Sequence, residues 1–130
     1  MNKILIVDDS QLVRNFHSYM VKEAGFEVTT AVDGADALEK CFRNHYDIIL
    51  TDINMQGMDG YEFIRRLRMD DQYDDVPIII ISTEGRENDK LKGLKVGANL
   101  YLVKPSDATR IVKSIRMLLG ETNKQHGKAI

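Results

Sequence analysis

The sequence predicts an α/β fold, a parallel sheet with helices on both faces, and three observations carry that expectation. Short apolar runs alternate with helix-period apolar stripes five times along 130 residues. The run Ile78–Ile81 is β-branched throughout, which suits a strand buried on both faces. Cap and turn residues such as Gly25, Gly97 and Asp107 stand where helices should stop or start, so the connections are short. Right-handed crossovers then leave few topologies for five strands.

Each element has its own signal. Lys3–Val7 is an apolar strand running into Asp8 and Asp9, and Leu12, Val13, Phe16, Met20 and Val21 follow at helical spacing. Gly25 takes the left-handed position beyond that helix. Glu27–Val32 is half polar and β-branched, an outer strand. Ala37, Leu38, Cys41 and Phe42 mark the second helix, Asp47–Leu50 the third strand, and Phe63, Ile64 and Leu67 the third helix. Ile78–Ile81 is followed by a more polar helix, Asn88–Val96, ending at Gly97. Leu100–Val103 is the fifth strand, and Asp107 caps a last helix with the stripe Ile111, Val112, Ile115, Leu118 and Leu119.

Composition narrows the class. With 43% hydrophobic and 29% charged residues the chain is an ordinary globular one, expected as one domain over 1–120 with a polar tail over 121–130. A net charge of -2 gives no pull toward nucleic acid or anionic membrane, and no apolar run approaches spanning length. The lone Cys41 and the absence of a signal-peptide pattern suit a cytoplasmic protein.

In open parallel sheets the functional crevice lies beyond the carboxyl ends of the strands. Those ends carry Asp8 and Asp9, Asp52, Ser82 and Thr83, and Lys104. If the first and third strands are neighbours, three carboxylates converge and repel, so protonation, a cation or both must neutralise them. Oxygen-only ligands suit a hard divalent ion such as Mg²⁺. Lys104 adds a fixed positive charge and Ser82 a hydroxyl donor, a set suited to phosphoryl transfer onto an aspartate. Taken singly, Asp8 and Asp9 read as a turn and cap, Lys104 as a surface lysine, and Ser82 and Thr83 as ordinary strand composition. Their joint placement at four strand ends makes the chemical reading the stronger one.

At these residues the chain resembles the receiver domains of bacterial two-component response regulators, most closely the stand-alone chemotaxis type. The resemblance runs from about Lys3 to Leu119 and rests on Ile4-Leu5-Ile6-Val7-Asp8-Asp9, on Leu50-Thr51-Asp52-Ile53-Asn54-Met55-Gln56-Gly57-Met58-Asp59-Gly60, on Ser82, and on Lys104-Pro105. It implies a flavodoxin-like doubly wound sheet of order 2-1-3-4-5. It also implies a phosphoacceptor at Asp52, with Mg²⁺ (Mn²⁺ as a substitute) held by Asp9, Asp52, the Asn54 carbonyl and, through water, Asp8. Ser82, Thr83, Lys104 and Tyr101 would form the phosphoryl-binding and switch set, with a cis Lys104-Pro105 peptide, and Asn54 and Glu84 would tune dephosphorylation. A sensor histidine kinase would be the donor and a downstream protein the target, read through the face of helix four, strand five and helix five. Neither nucleic acid nor membrane would be contacted directly, and the protein would be a monomer or a phosphorylation-dependent dimer. It would phosphorylate from a donor and dephosphorylate its own aspartate without being a classical enzyme.

Two departures stand out: Gln56 replaces the usual proline, and Ser106 the usual aromatic. Rival readings are an aspartyl-nucleophile phosphatase, which would want a second aspartate where Asn54 stands, and a flavin-binding flavodoxin, whose phosphate Asp8 and Asp9 would repel. His17, His45 and His126 show no metal spacing, and Cys41 reads as core. Tyr19, Tyr46 and Tyr73 read as packing or boundary residues, and Arg65, Arg66 and Arg68 as a solvated helix face.

Overall fold

The computed structural model describes residues 1–120. Elements alternate as β1 (Lys3–Val7), α1 (Gln11–Glu23), β2 (Glu27–Ala31), α2 (Gly34–Arg43), β3 (Ile48–Thr51), α3 (Gly60–Leu67), a 3-10 turn (Asp71–Tyr73), β4 (Ile78–Ser82), α4 (Glu87–Val96), β5 (Leu100–Val103) and α5 (Ala108–Leu118). The strands form one parallel sheet in the order β2-β1-β3-β4-β5. This is the flavodoxin-like order. The tail over 121–130 lies outside the described residues.

Strand alternation divides the core in two. Ile4, Ile6, Ile48, Leu50, Ile79 and Ile81 face Met20 and Val21 of α1 and Ile111 and Ile115 of α5. Leu5, Val7, Ile49, Ile78 and Ile80 face Leu38 and Cys41 of α2 and Phe63, Ile64 and Leu67 of α3. Residues 78–81 are at most 2% exposed, and each buried isoleucine contributes about 1.5–3 kcal/mol. Caps follow the sequence: Ser10, Asp33, Asp59 and Asp107 each accept a backbone amide of the helix they open. Gly25 and Gly97 take positive φ beyond α1 and α4.

Three expectations need correction. Leu12 and Phe16 are 79% and 55% exposed, while Met20 and Val21 of the same stripe are buried as expected and His17 joins them. Phe42, assigned to the α2 stripe, is 62% exposed, because Ala37, Leu38 and Cys41 already fill that contact. Arg68 is no solvated face. Its guanidinium donates to the carbonyls of Tyr73, Val76 and Gly97 and to Asn99 Oδ1, tying the end of α3 to the starts of β4 and β5 and the end of α4. Arg65 and Arg66 do stand in solvent, and their hydrogen bonds hold the shared Glu62 carboxyl down to about 2.

Tyr73 and Tyr46 are buried, whereas Tyr19 is exposed. The Tyr73 hydroxyl donates to the Cys41 and Asn44 carbonyls at the end of α2. Cys41 is core, and burial pushes its thiol up to about 12. Among the described residues no helix is long and apolar enough to cross a membrane.

Candidate functional site

Backbone pairing assembles the site. Val7 pairs with Thr51 and the Asp52 amide donates to the Val7 carbonyl at 2.9 Å, which sets Asp52 beside Asp8. Ser82 pairs with Val103, and the Lys104 amide donates to the Ser82 carbonyl at 2.7 Å. Residues far apart in the chain therefore meet at one edge of the sheet.

Carboxylate oxygens of Asp8, Asp9 and Asp52 all lie within 4.8 Å of one another. Asp8 and Asp52 are 3% and 9% exposed, while Asp9 stands in solvent. Lys104 Nζ lies between the two buried ones, 2.8 Å from Asp8 Oδ2 and 2.9 Å from Asp52 Oδ2. The remaining oxygens accept backbone amides, Asp8 Oδ1 from Ser10 and Asp52 Oδ1 from Ile53. Burial alone would lower the Lys104 ammonium, but its hydrogen bonds and charge contacts with Asp8 and Asp52 outweigh that and raise it.

The charges do not balance. At an effective dielectric near 20, two carboxylates at that spacing repel by about 3–4 kcal/mol. Three carboxylates against one ammonium leave a formal charge of two negatives, which a divalent cation matches. The donors are all oxygen, two of the three carboxylates are buried, and Asp9 is open to solvent, so these residues fit Mg²⁺.

The rest of the set lies around this centre. Ser82 is fully buried and its Oγ accepts the Glu84 amide at 3.1 Å, while Thr83 is exposed. Asn54 Nδ2 donates to Glu84 Oε1 at 3.1 Å. Tyr101 reaches beneath the β4–α4 loop, its hydroxyl donating to the Glu84 carbonyl and lying near the Ser82 hydroxyl. The Lys104-Pro105 peptide is cis. In place of the usual aromatic, Ser106 Oγ donates to the Val103 carbonyl at 2.8 Å.

Two neighbours of the site escaped the sequence reading. His17 lines the same crevice as Asp8 and Asp52. Its imidazole is held below the ordinary value mainly by burial, then by the Lys104 charge, with the two carboxylates pulling the other way. Arg14 donates to the Asp8 carbonyl at 2.7 Å. Helical spacing from Met20 and Val21 could have placed His17 inside; nothing local marks Arg14. A roomier cavity of about 270 Å³, lined by Lys3, Glu27, Thr29, Lys40, Asn44 and Tyr46, contains none of the candidate residues.

Comparison with known proteins agrees with this geometry. The family model described as the response regulator receiver domain matches residues 4–116. The transcriptional regulatory protein PrrA of Mycobacterium tuberculosis is 39% identical over 117 residues, 90% of this chain and 49% of its own. A gliding motility regulatory protein of Myxococcus xanthus is 41% identical over 102 residues, 78% of this chain and 13% of its own. The chain thus spans about half the length of PrrA and much less of the second relative. Among solved structures, the chemotaxis response regulator CheY4 of Vibrio cholerae has a TM-score of 0.87 and 40% identity, covering 91% of this chain and 98% of its own. A response regulator from Chloroflexus aurantiacus has a TM-score of 0.88 and 31% identity, covering 92% and 98%. With the family model spanning most of the chain and the fold and strand-end residues agreeing, the chain belongs to the response regulator receiver domain family.

Proposed function

We propose that this receiver domain is a phosphoacceptor switch in which Asp52 takes a phosphoryl group from a histidine of a sensor kinase and thereby controls a protein partner. The observation that carries the reading is Lys104 spanning Asp8 and Asp52 inside the acidic triad. Asp52 is the carboxylate at the centre of the sheet edge, flanked by Asp8 on one side and by Ser82 and Lys104 on the other.

In the transfer, an Asp52 carboxylate oxygen forms the new P–O bond while the P–N bond of the phosphohistidine breaks, its electron pair going to the imidazole. Asp9, Asp52 and the Asn54 carbonyl would hold Mg²⁺, with Asp8 acting through a water; Mn²⁺ shares this ligand preference. When bound, the metal supplies charge neutralisation for the phosphoryl oxygens. Lys104, already 2.9 Å from Asp52, needs only to shift from carboxylate to phosphoryl oxygen. Ser82 exchanges the Glu84 amide for the same group by rotating its hydroxyl. Thr83, next in the chain, lines the approach.

Hydrolysis reverses the modification: water attacks phosphorus, the P–O bond breaks, and the Asp52 carboxylate returns. Asn54 and Glu84, hydrogen-bonded to each other beside Asp52, flank the line of that attack and favour a short lifetime. Phosphorylation replaces the single charge of the Asp52 carboxylate with the about two negative charges of an acyl phosphate, and the Ser82 and Tyr101 neighbourhood conveys the change to the surface of α4, β5 and α5. This biases a two-state equilibrium.

The test is incubation with Mg²⁺ and a small acyl phosphate, followed by intact mass. A single added phosphate, absent in Asp52→Asn, supports the reading; an equal gain in that variant sinks it. Turnover of a small phosphate ester beyond one equivalent would point to a phosphatase instead.

A further inference from the structure

The helix α4 raises a question of attachment. Of its residues only Gly93 is buried, and Leu91 and Leu94 are 50% and 51% exposed. Apolar burial therefore holds it weakly, and specific contacts must position it. Two tyrosines supply them. Tyr101 donates to the Glu84 carbonyl at the start of the β4–α4 loop, and Gly93 lies so close over its ring that an added Cβ would sit 3.1 Å from Tyr101 Cδ2. Tyr61 donates to the Asp89 carbonyl in the first turn of α4 at 3.1 Å, and Lys92 Nζ lies 4.5 Å from its ring centroid. The two phenols also sit close enough to perturb each other.

Tyr61 opens α3, directly after Gly60, and the Gly60 amide donates to the Ile53 carbonyl at 2.8 Å. Ile53 in turn gives its own amide to Asp52 Oδ1. One short path of hydrogen bonds therefore runs from the Asp52 carboxylate to the first turn of α4 without passing through Ser82 or Tyr101.

We propose that Tyr61 is a second tyrosine of the switch, a positioning residue that acts jointly with Tyr101 to hold residues 84–89 by both ends. The proposal rests on the phosphoacceptor reading and deepens it. The loop carries the Glu84 amide that Ser82 Oγ accepts, and a turn of Ser82 toward a phosphoryl group would pull on that bond. A loop held at Glu84 and Asp89 resists that pull, and Tyr61 sets part of the resistance. Its role differs from packing, because the ring would remain in a phenylalanine variant while the bond to Asp89 would not.

The experiment is hydrogen exchange of the full chain, read by peptide mass, for the wild type, Tyr61→Phe, Tyr101→Phe and the double variant. In untreated protein Tyr61→Phe raises exchange over residues 84–93 by about two- to ten-fold, the loss expected of one net hydrogen bond. The β1 and β3 peptides stay unchanged, and the double variant goes no further than the faster single one. With Mg²⁺ and a small acyl phosphate, the half-time of phosphate incorporation shortens in Tyr61→Phe. Unchanged exchange over 84–93, a rise spread evenly over the chain, effects that multiply in the double variant, or an unaltered incorporation half-time would each overturn the proposal. Wild-type mass in the same samples judges the phosphoacceptor reading separately, since the untreated exchange does not depend on it.

Discussion

Gly60→Ala separates backbone contact from backbone conformation at the site. A Cβ built at Gly60 lies 2.1 Å from the Asp52 carbonyl oxygen and 2.8 Å from Ile53 Cα. An ordinary non-bonded contact needs about 3.5 Å, so helix and loop must part by about 1.4 Å at the Asp52 carbonyl. The Gly60 amide bond to Ile53 is strained in the same movement. Overpacking of this kind costs about 1–3 kcal/mol, and a displacement of about 1 Å at a reacting group costs about 100-fold in rate. Gly57→Ala is the control: its φ is +74° but nothing lies within 4 Å of its Cβ. It should lose only about 1–2 kcal/mol of conformational energy. Urea unfolding measures stability, and intact mass after acyl phosphate treatment measures phosphorylation. If Gly60→Ala phosphorylates at the Gly57→Ala rate, the inference from contact to acceptor geometry is refuted.

Asp9→Asn should stabilise the protein in chelator by relieving repulsion, and should lose the Mg²⁺-dependent rise in melting temperature expected of the wild type. At Mg²⁺ 100-fold above its dissociation constant that rise reflects about 2.7 kcal/mol, so an equal rise in the variant would remove Asp9 from the ligands. Arg68→Met should cost about 2–4 kcal/mol in urea unfolding, because several carbonyls lose a charged donor; a change under about 0.5 kcal/mol would mean that water replaces it. The His17 imidazole is held below its ordinary value of 6.5, so the unfolded chain takes up the proton more readily. Its contribution is complete above pH 6.5 and is lost as pH falls through the folded value. The wild type should therefore lose stability relative to His17→Leu as pH falls below 6.5, and parallel curves would contradict the shift.

The site was legible because strand ends encode it compactly: Asp8, Asp9, Asp52, Ser82 and Lys104 each stand at the carboxyl end of an apolar run. The sheet order followed from resemblance, since alternation alone allows other topologies. The face of α1 was legible only in part, through Met20 and Val21. Leu12, Phe16 and Tyr19 form one stripe at helical spacing, and Val13, His17, Met20 and Val21 form another beside it. Both stripes are apolar, and the fold leaves the first in solvent. Arg68 was hidden for a different reason: a long cation next to Arg65 and Arg66 reads as surface, and its carbonyl partners are brought to it only by the completed sheet.

The Arg68 hydrogen bonds to the Gly97 carbonyl have a mechanical consequence. They fasten the far end of α4, the end away from Asp52, to a guanidinium that also grips the segments entering β4 and β5. With that end fixed, any swing of α4 would pivot at Gly97. Eight residues separate Gly97 from Asp89, about 12 Å of helix, so a swing of about 10° carries the Asp89 end through about 2 Å while Gly97 stays still. Such a swing would concentrate displacement at the end nearest Asp52, and Leu91 and Leu94 would turn with it as a rigid face.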